Sequence, residues 1–283
     1  MRDFLLQYVR DNQHNWKSEP RLFYGDGFQD NLILVFGKPK TAIFAHMDTI
    51  GFTTRYEDQL VPIGGPEAKE GYALSGMDEM GPIHCKLQDN QGRLSHDFAR
   101  AIQRGTSLVF EPQVSFHGDF ITGTHLDNRL GIYNALKQAE RMENGAIVFS
   151  SYEEHGGGSV PFLVSFLHEN YGIKQALISD ITWVTDGVVH GDGVVISLRD
   201  HNIPRKKFLD RIISLTNDSA VRYQLEVEGS GSSDGREVHH SPYAVDWVFI
   251  GAPEDNVHSP SEMVHKADLQ AMIDLYAHLI EKL

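Results

Sequence analysis

The segment Ser150-Ser151-Tyr152-Glu153-Glu154-His155-Gly156-Gly157-Gly158 constrains this chain more than any other. It follows the uninterrupted apolar run Ala146-Ile147-Val148-Phe149 and precedes a helical pattern opening near Ser159. A short apolar run bounded by turn residues reads as a buried strand, and the glycines let the backbone turn sharply after it. The strand therefore delivers two adjacent carboxylates to its carboxyl end, where open α/β sheets place their ligands. Like charges so placed repel each other unless cations or protons intervene. A solvated acidic loop is the plain alternative for this segment taken alone.

Other strands end in a similar way. Asn31 to Phe36 reads as a strand, and the next, Thr41 to Ala45, delivers His46 and Asp48. Residues two apart in an extended segment share a face, so this pair fits a metal-bound imidazole with a carboxylate partner. It fits an ordinary strand-end loop as well. The stripe Leu130, Tyr133, Asn134, Leu136 and Lys137 marks a helix with Asp127 at its N-terminus, where Asp is also a preferred cap. The strand Gln175 to Ser179 ends at Asp180, and further strands are read at 193–198, Tyr223–Val227 and Val245–Ile250. Helices are read at 159–170, at 204–219 opening on Pro204, and at the end, where Asp268 is the expected cap.

This alternation gives an α/β fold with a central mixed sheet and helices on both faces. The texture changes from Thr53 to Gly118, where β-like pieces alternate with clusters such as Gly64-Gly65-Pro66 and Asp89-Asn90-Gln91-Gly92. Ser95 to Arg104 is the one stretch there that reads as a short helix. Residues 53–118 are thus expected to form a small β-rich domain inserted into a main domain made of 1–52 and 119–283.

Composition narrows the function classes. Lys and Arg total 25 against 39 Asp and Glu, a net charge of −14, which argues against nucleic acid or anionic membrane as a partner. No stretch approaches the roughly 20 apolar residues of a spanning helix. The sole cysteine, Cys85, excludes an intrachain disulfide and a thiolate zinc cluster. The opening residues place Phe4, Leu5, Tyr8 and Val9 on one helix face and are too charged for a signal peptide. A cytoplasmic location is expected.

Seven polar residues fall at or just past strand ends: His46, Asp48, Asp127, Glu153, Glu154, Asp180 and His258. Imidazole and carboxylate donors without thiolates suit Zn²⁺, Mn²⁺ or Co²⁺. Five sequence pieces then occur in order: His46-Met47-Asp48-Thr49-Ile50-Gly51-Phe52, Leu126-Asp127-Asn128-Arg129, Glu153-Glu154-His155-Gly156, Asp180-Ile181-Thr182 and His258-Ser259-Pro260-Ser261-Glu262. Together they resemble the glutamyl/deblocking aminopeptidase family of dinuclear metallopeptidases, which includes the tetrahedral TET assemblies. The resemblance implies two divalent ions per chain, zinc first and cobalt or manganese as alternatives. Asp127 would bridge them, with His46 and Asp180 completing one site and Glu154 and His258 the other. Glu153 would be the general base and Asp48 would orient the His46 site. Short peptides are the implied substrates, and a homo-oligomer the implied assembly.

The chain departs from the family pattern in three places. Asn128 stands where a second Asp is usual, a glycine run follows Glu154, and the insertion is short for the family's dimerisation domain, which argues against a twelve-subunit shell. Ser232-Ser233-Asp234-Gly235 matches the family's Gly-Thr-Asp loop loosely. His84, His96, His117, His168, His190, His201, His265 and His278 read as surface or loop residues, His239 and His240 as candidates for lining a pocket, and Trp183 and Trp247 as core. Two other functions compete: a dinuclear deacylase or carboxypeptidase acting on N-acyl amino acids, and a non-catalytic metal-binding relative.

Overall fold

Uninterrupted apolar runs become buried strands here, and amphipathic runs become helices laid over them. A computed structural model describes residues 1–283. The helices are α1 (Arg2–Asn12), α2 (Leu126–Ala139), α3 (Val160–Tyr171), α4 (Lys206–Asn217), α5 (Asp234–His240) and α6 (Lys266–Lys282). Ahead of α2 run β1 (Arg21–Phe23), β2 (Leu32–Phe36), β3 (Thr41–His46), β4 (Gly51–Thr54), β5 (Leu60–Ile63), β6 (Ala73–Asp78), β7 (Gly81–Asn90), β8 (Arg93–His96), β9 (Ser107–Phe110), β10 (Val114–His117) and β11 (Phe120–Gly123). After it come β12 (Gly145–Ser150), β13 (Gln175–Trp183), β14 (Val194–Arg199), β15 (Tyr223–Val227), β16 (Asp246–Asp255) and β17 (Glu262–His265).

The chain forms two compact units. The first comprises Met1–Asp48, Asn128–Glu254 and Val264–Leu283, the second Thr49–Asp127 and Asp255–Met263. In the first, β1 pairs antiparallel with β2, and β2 antiparallel with β12. Then β12, β3, β13 and β16 follow in parallel, and β16 meets β14 antiparallel, with β15 parallel outside it. This is a mixed sheet whose all-parallel centre is buried on both faces, as near-continuous apolar strands require.

Alternation along the strands divides the core. Ile33, Val35, Ala42, Phe44, Ala146, Val148, Ala176 and Ile178 pack with Val160, Leu163, Val164 and Leu167 of α3 and Val238 of α5. The opposite face meets α2 and α6. Tyr276 of α6 donates its hydroxyl to the carbonyls of Ile178 and Ile250, and Gln138 of α2 donates to the carbonyl of Ile273. Burying each such large side chain contributes about 1.5–3 kcal/mol.

Helix α2 lies unusually close to β13. Asn128 donates its amide to the carbonyl of Ser179 at 2.9 Å, and its own side-chain oxygen takes the amide of Gly131. A Cβ at Gly131 would stand 2.1 Å from the Ser179 carbonyl oxygen, so only glycine permits this approach. Asn134 and the Gly131 carbonyl complete the contact through the Ser179 hydroxyl. The departure at position 128 thus has a physical role, since an ionised Asp has no proton to give that carbonyl.

In the second unit the antiparallel order β5-β4-β9-β6-β7-β8 encloses Ile50, Phe52, Leu74, Ile83, Leu87, Leu108 and Phe110. A bridge between Gln59 and Ser95 links the two outer strands, so the sheet is barrel-like. Its only charged anchor with bidentate geometry is Asp78, which Arg100 holds at 2.6 and 2.8 Å and whose carboxyl is thereby lowered to about 2.

Several local expectations are corrected. Ser95 to Arg104 is no helix, because Arg93–His96 pairs with β7 and the following residues stay irregular; His96 is consequently buried. Pro204 lies outside α4, which is capped at Arg205. Asp268 sits inside the first turn of α6, where it takes the amides of Gly191 and Gly193, while His265 is the cap. Trp247 is core, but Trp183 is about half exposed (53%) at the end of β13. No helix is long and apolar enough to cross a membrane.

Candidate functional site

Three neighbouring parallel strands of the first unit, β12, β3 and β13, carry polar residues at or near their carboxyl ends. The register sets Ser150 beside His46 and Phe44 beside Ile178, which puts His46 and Asp180 at matching heights. Nε2 of His46 lies 3.5 Å from Oδ2 of Asp180. Oδ1 of Asp180 is taken by the Ile181 amide at 2.8 Å, so Oδ2 is the oxygen turned to the imidazole.

The tautomer of His46 follows from its other nitrogen. Nδ1 is 3.2 Å from the carbonyl of Asp48, which only accepts, so Nδ1 carries the proton. In the neutral ring Nε2 then presents a lone pair toward a carboxylate oxygen. Two lone pairs do not hold each other, whereas a shared cation, a proton or a metal ion, satisfies both. Two donors on one tetrahedral zinc, each at about 2.0–2.2 Å, stand roughly 3.3–3.6 Å apart, which matches the observed spacing.

Asp48 fixes a second element. Its two carboxylate oxygens take the consecutive amides of Glu153 and Glu154, each at 3.1 Å. Burial raises the Asp48 carboxyl, but the hydrogen bond and charge of His46 and the Glu153 amide outweigh it and hold the group below its usual range. Consecutive amides can converge because Tyr152 adopts a left-handed φ of 73°, a conformation that costs a non-glycine residue about 1–2 kcal/mol. The glycine run then has a packing reason. Gly157 has φ 74°, and a Cβ there would stand 2.2 Å from Cγ of Glu237 on α5.

Beneath these residues lies Asp234, fully buried at the start of α5. The Ser150 hydroxyl donates to its Oδ2, and Oδ1 makes no hydrogen bond. Burial pushes this carboxyl up to about 7, against the lowering effect of His46 and the Ser150 hydroxyl and with the repulsion of Asp180 and Asp48. The sequence pointed to Asp234 only through a loose loop match; its burial is a tertiary fact.

The second unit holds Asp127 and His258. Oδ2 of Asp127 is 3.4 Å from Nε2 of His258. Nδ1 of His258 is 3.2 Å from the carbonyl of Gly65, so here too a proton is on Nδ1, and in the neutral ring Nε2 offers a lone pair to a carboxylate. The same cation argument applies. Asp127 stands in the first turn of α2 and is bonded to Asn128, the residue that grips Ser179 next to Asp180.

Two residues that the sequence left without a role support this pair. His125 has φ 60°, donates Nε2–H to the carbonyl of Phe110, and takes the Thr49 hydroxyl on Nδ1. Glu262 is fully buried and accepts the amides of Leu126 at 2.6 Å and His258 at 3.1 Å. Left-handed non-glycine residues at His125, Tyr152 and His258 itself flank the proposed ligands, and strain of this kind collects at functional sites.

Comparison with known proteins places this chain in a family. The model for the M42 glutamyl aminopeptidases matches residues 89–275. A putative aminopeptidase of Acetivibrio thermocellus is 25% identical over 280 residues, covering 85% of this chain and 82% of the relative. Among solved structures, an aminopeptidase from the archaeon Desulfurococcus kamchatkensis superposes with a TM-score of 0.85 at 22% identity, covering 100% of this chain and 90% of the other. The TET1 peptidase of Pyrococcus horikoshii, which can assemble into a tetrahedron or a large octahedral shell, gives 0.80 at 20% identity, covering 97% and 93%. At these identities the structures establish the shared fold.

Proposed function

The chain belongs to the M42 glutamyl aminopeptidase family of peptide hydrolases, and from that premise we propose that it removes N-terminal residues from short peptides with two divalent ions. In this reading His46, Asp127 and Asp180 hold one ion, and Asp127, Glu154 and His258 hold the other, with Asp127 common to both. The observation that carries it is the repeated pair of an imidazole Nε2 facing a carboxylate oxygen, at 3.5 Å in one case and 3.4 Å in the other. Nitrogen and oxygen donors without sulfur favour zinc, with cobalt or manganese able to replace it.

When bound, such an ion pair acidifies water and polarises the scissile carbonyl. The chain's own groups do the rest. Glu153 lies outside both ligand sets, and Asp48 pins its backbone amide; its carboxylate is the group assigned to take a proton from water and pass it to the leaving amine. Asp48 acts through others: it sets the Nδ1 proton of His46 and the path of the Glu153–Glu154 turn. The assembly of the Pyrococcus relative supports a homo-oligomer for this chain.

A matched pair of substrates tests the reading. A peptide with a free N-terminus is expected to be cleaved one residue at a time, while the same peptide N-acetylated is left intact. Preferential cleavage of the acetylated peptide, or of N-acyl amino acids, would make the chain a deacylase or carboxypeptidase instead.

A further inference from the structure

We propose that Glu262 is a positioning residue that holds Asp127 and His258 at ligand spacing by clamping the backbone of both. The inference rests on the metal-dependent reading above. Glu262 is fully buried at the start of β17, and no cationic side chain pairs with it. One carboxylate oxygen takes the Leu126 amide at 2.6 Å, the other the His258 amide at 3.1 Å. The Asp127 amide is directed at the same carboxylate. The first amides of a helix have no partner within it, so Glu262 serves the open end of α2 at the turn that carries Asp127.

The same carboxylate fixes a strained ligand. His258 has φ 64°, a conformation needing support from its surroundings. Its amide is held by Glu262, its carbonyl by the Glu67 amide at 2.8 Å, and its ring proton by the Gly65 carbonyl. Glu262 reaches back four residues because the intervening turn is tight: the Ser259 hydroxyl takes the Ser261 amide at 3.1 Å. One side chain therefore ties the Asp127 turn to the His258 turn, and the 3.4 Å between Oδ2 and Nε2 depends on it.

Glu262→Gln keeps the shape but turns an NH₂ group toward an amide that needs an acceptor. Cobalt uptake by the full chain, followed by its visible absorption against a competing chelator, reads the two ions separately. The variant is expected to bind the ion served by His258 and Glu154 10–100-fold more weakly, the usual effect of losing a group that orients a ligand, and the ion served by His46 and Asp180, which shares only Asp127 with it, by a clearly smaller factor. Its kcat is expected to fall and to recover in excess metal, which a merely misfolded protein would not do. Ser259→Ala, which loosens the turn without touching the buried carboxylate, should weaken the same ion by a smaller factor. A wild-type chain that binds two ions and variants that match it on both, or that lose both equally, would overturn the role of Glu262 alone. A wild-type chain that takes up no ion would overturn the metal-dependent reading as well.

Discussion

Glu153→Gln is expected to lower kcat by roughly two to four orders of magnitude, the usual contribution of a positioned general base, while both ions stay bound. The side chain belongs to neither ligand group, and glutamine preserves its size and backbone. Its main-chain amide is held at 3.1 Å by Asp48, a contact that the substitution leaves in place. KM should therefore change far less than kcat. Metal content by elemental analysis and steady-state kinetics check the two halves of this outcome. A variant with near-normal kcat would remove Glu153 from the chemistry, and one that lost metal would make it a ligand.

Asp127→Ala is expected to have the larger effect on metal, with both ions lost and activity at background. In the proposed arrangement its carboxylate is the donor common to both groups, so its removal leaves two protein donors on each ion. The fold should survive. An acidic residue in the first turn of a helix contributes only about 0.3–1 kcal/mol through the helix dipole, and the grip of α2 on β13 lies in Asn128, Gly131 and Asn134 instead. An unchanged circular dichroism spectrum with no bound metal is the expected pairing. Full occupancy of both ions in this variant would place the bridge on another residue.

Much of the first unit was legible because buried parallel strands announce themselves as apolar runs. Thr41 to His46 and Ala146 to Phe149 could be read directly, and with them the places of His46 and of Glu153 and Glu154. What failed depended on pairing partners distant in sequence. β13 was expected to end near Asp180 but continues to Trp183, because β16 also runs on and pairs with it as far as Glu254. Helix α5 was hidden in a Gly- and Ser-rich loop. It forms because Ser233 caps it and because Gly235 lets it press on Trp247, where a Cβ would stand 2.7 Å from the ring. Ser95 has a helical neighbourhood in sequence but is drawn into a strand by Gln88.

The candidate site was legible as a set of residue types and not as a set of supports. Nothing in Leu126-Asp127-Asn128-Arg129 says that Asn128 donates to Ser179, or that Glu262 closes on Leu126 from 136 residues away. Nor could the sequence give the ring proton positions, which follow from carbonyl oxygens of Asp48 and Gly65 that lie against the two histidines. Those carbonyls orient the rings so that Nε2 faces a carboxylate in each case. In the proposed arrangement they turn a list of ligand types into two places for a cation.

The most direct test is to count divalent ions on the purified full chain and to follow hydrolysis of a peptide with a free N-terminus as they are removed and returned. About two ions per chain are expected, with hydrolysis abolished by chelation and restored in step with zinc, cobalt or manganese. Undiminished hydrolysis by a chain stripped of divalent ions would contradict the metal-dependent mechanism.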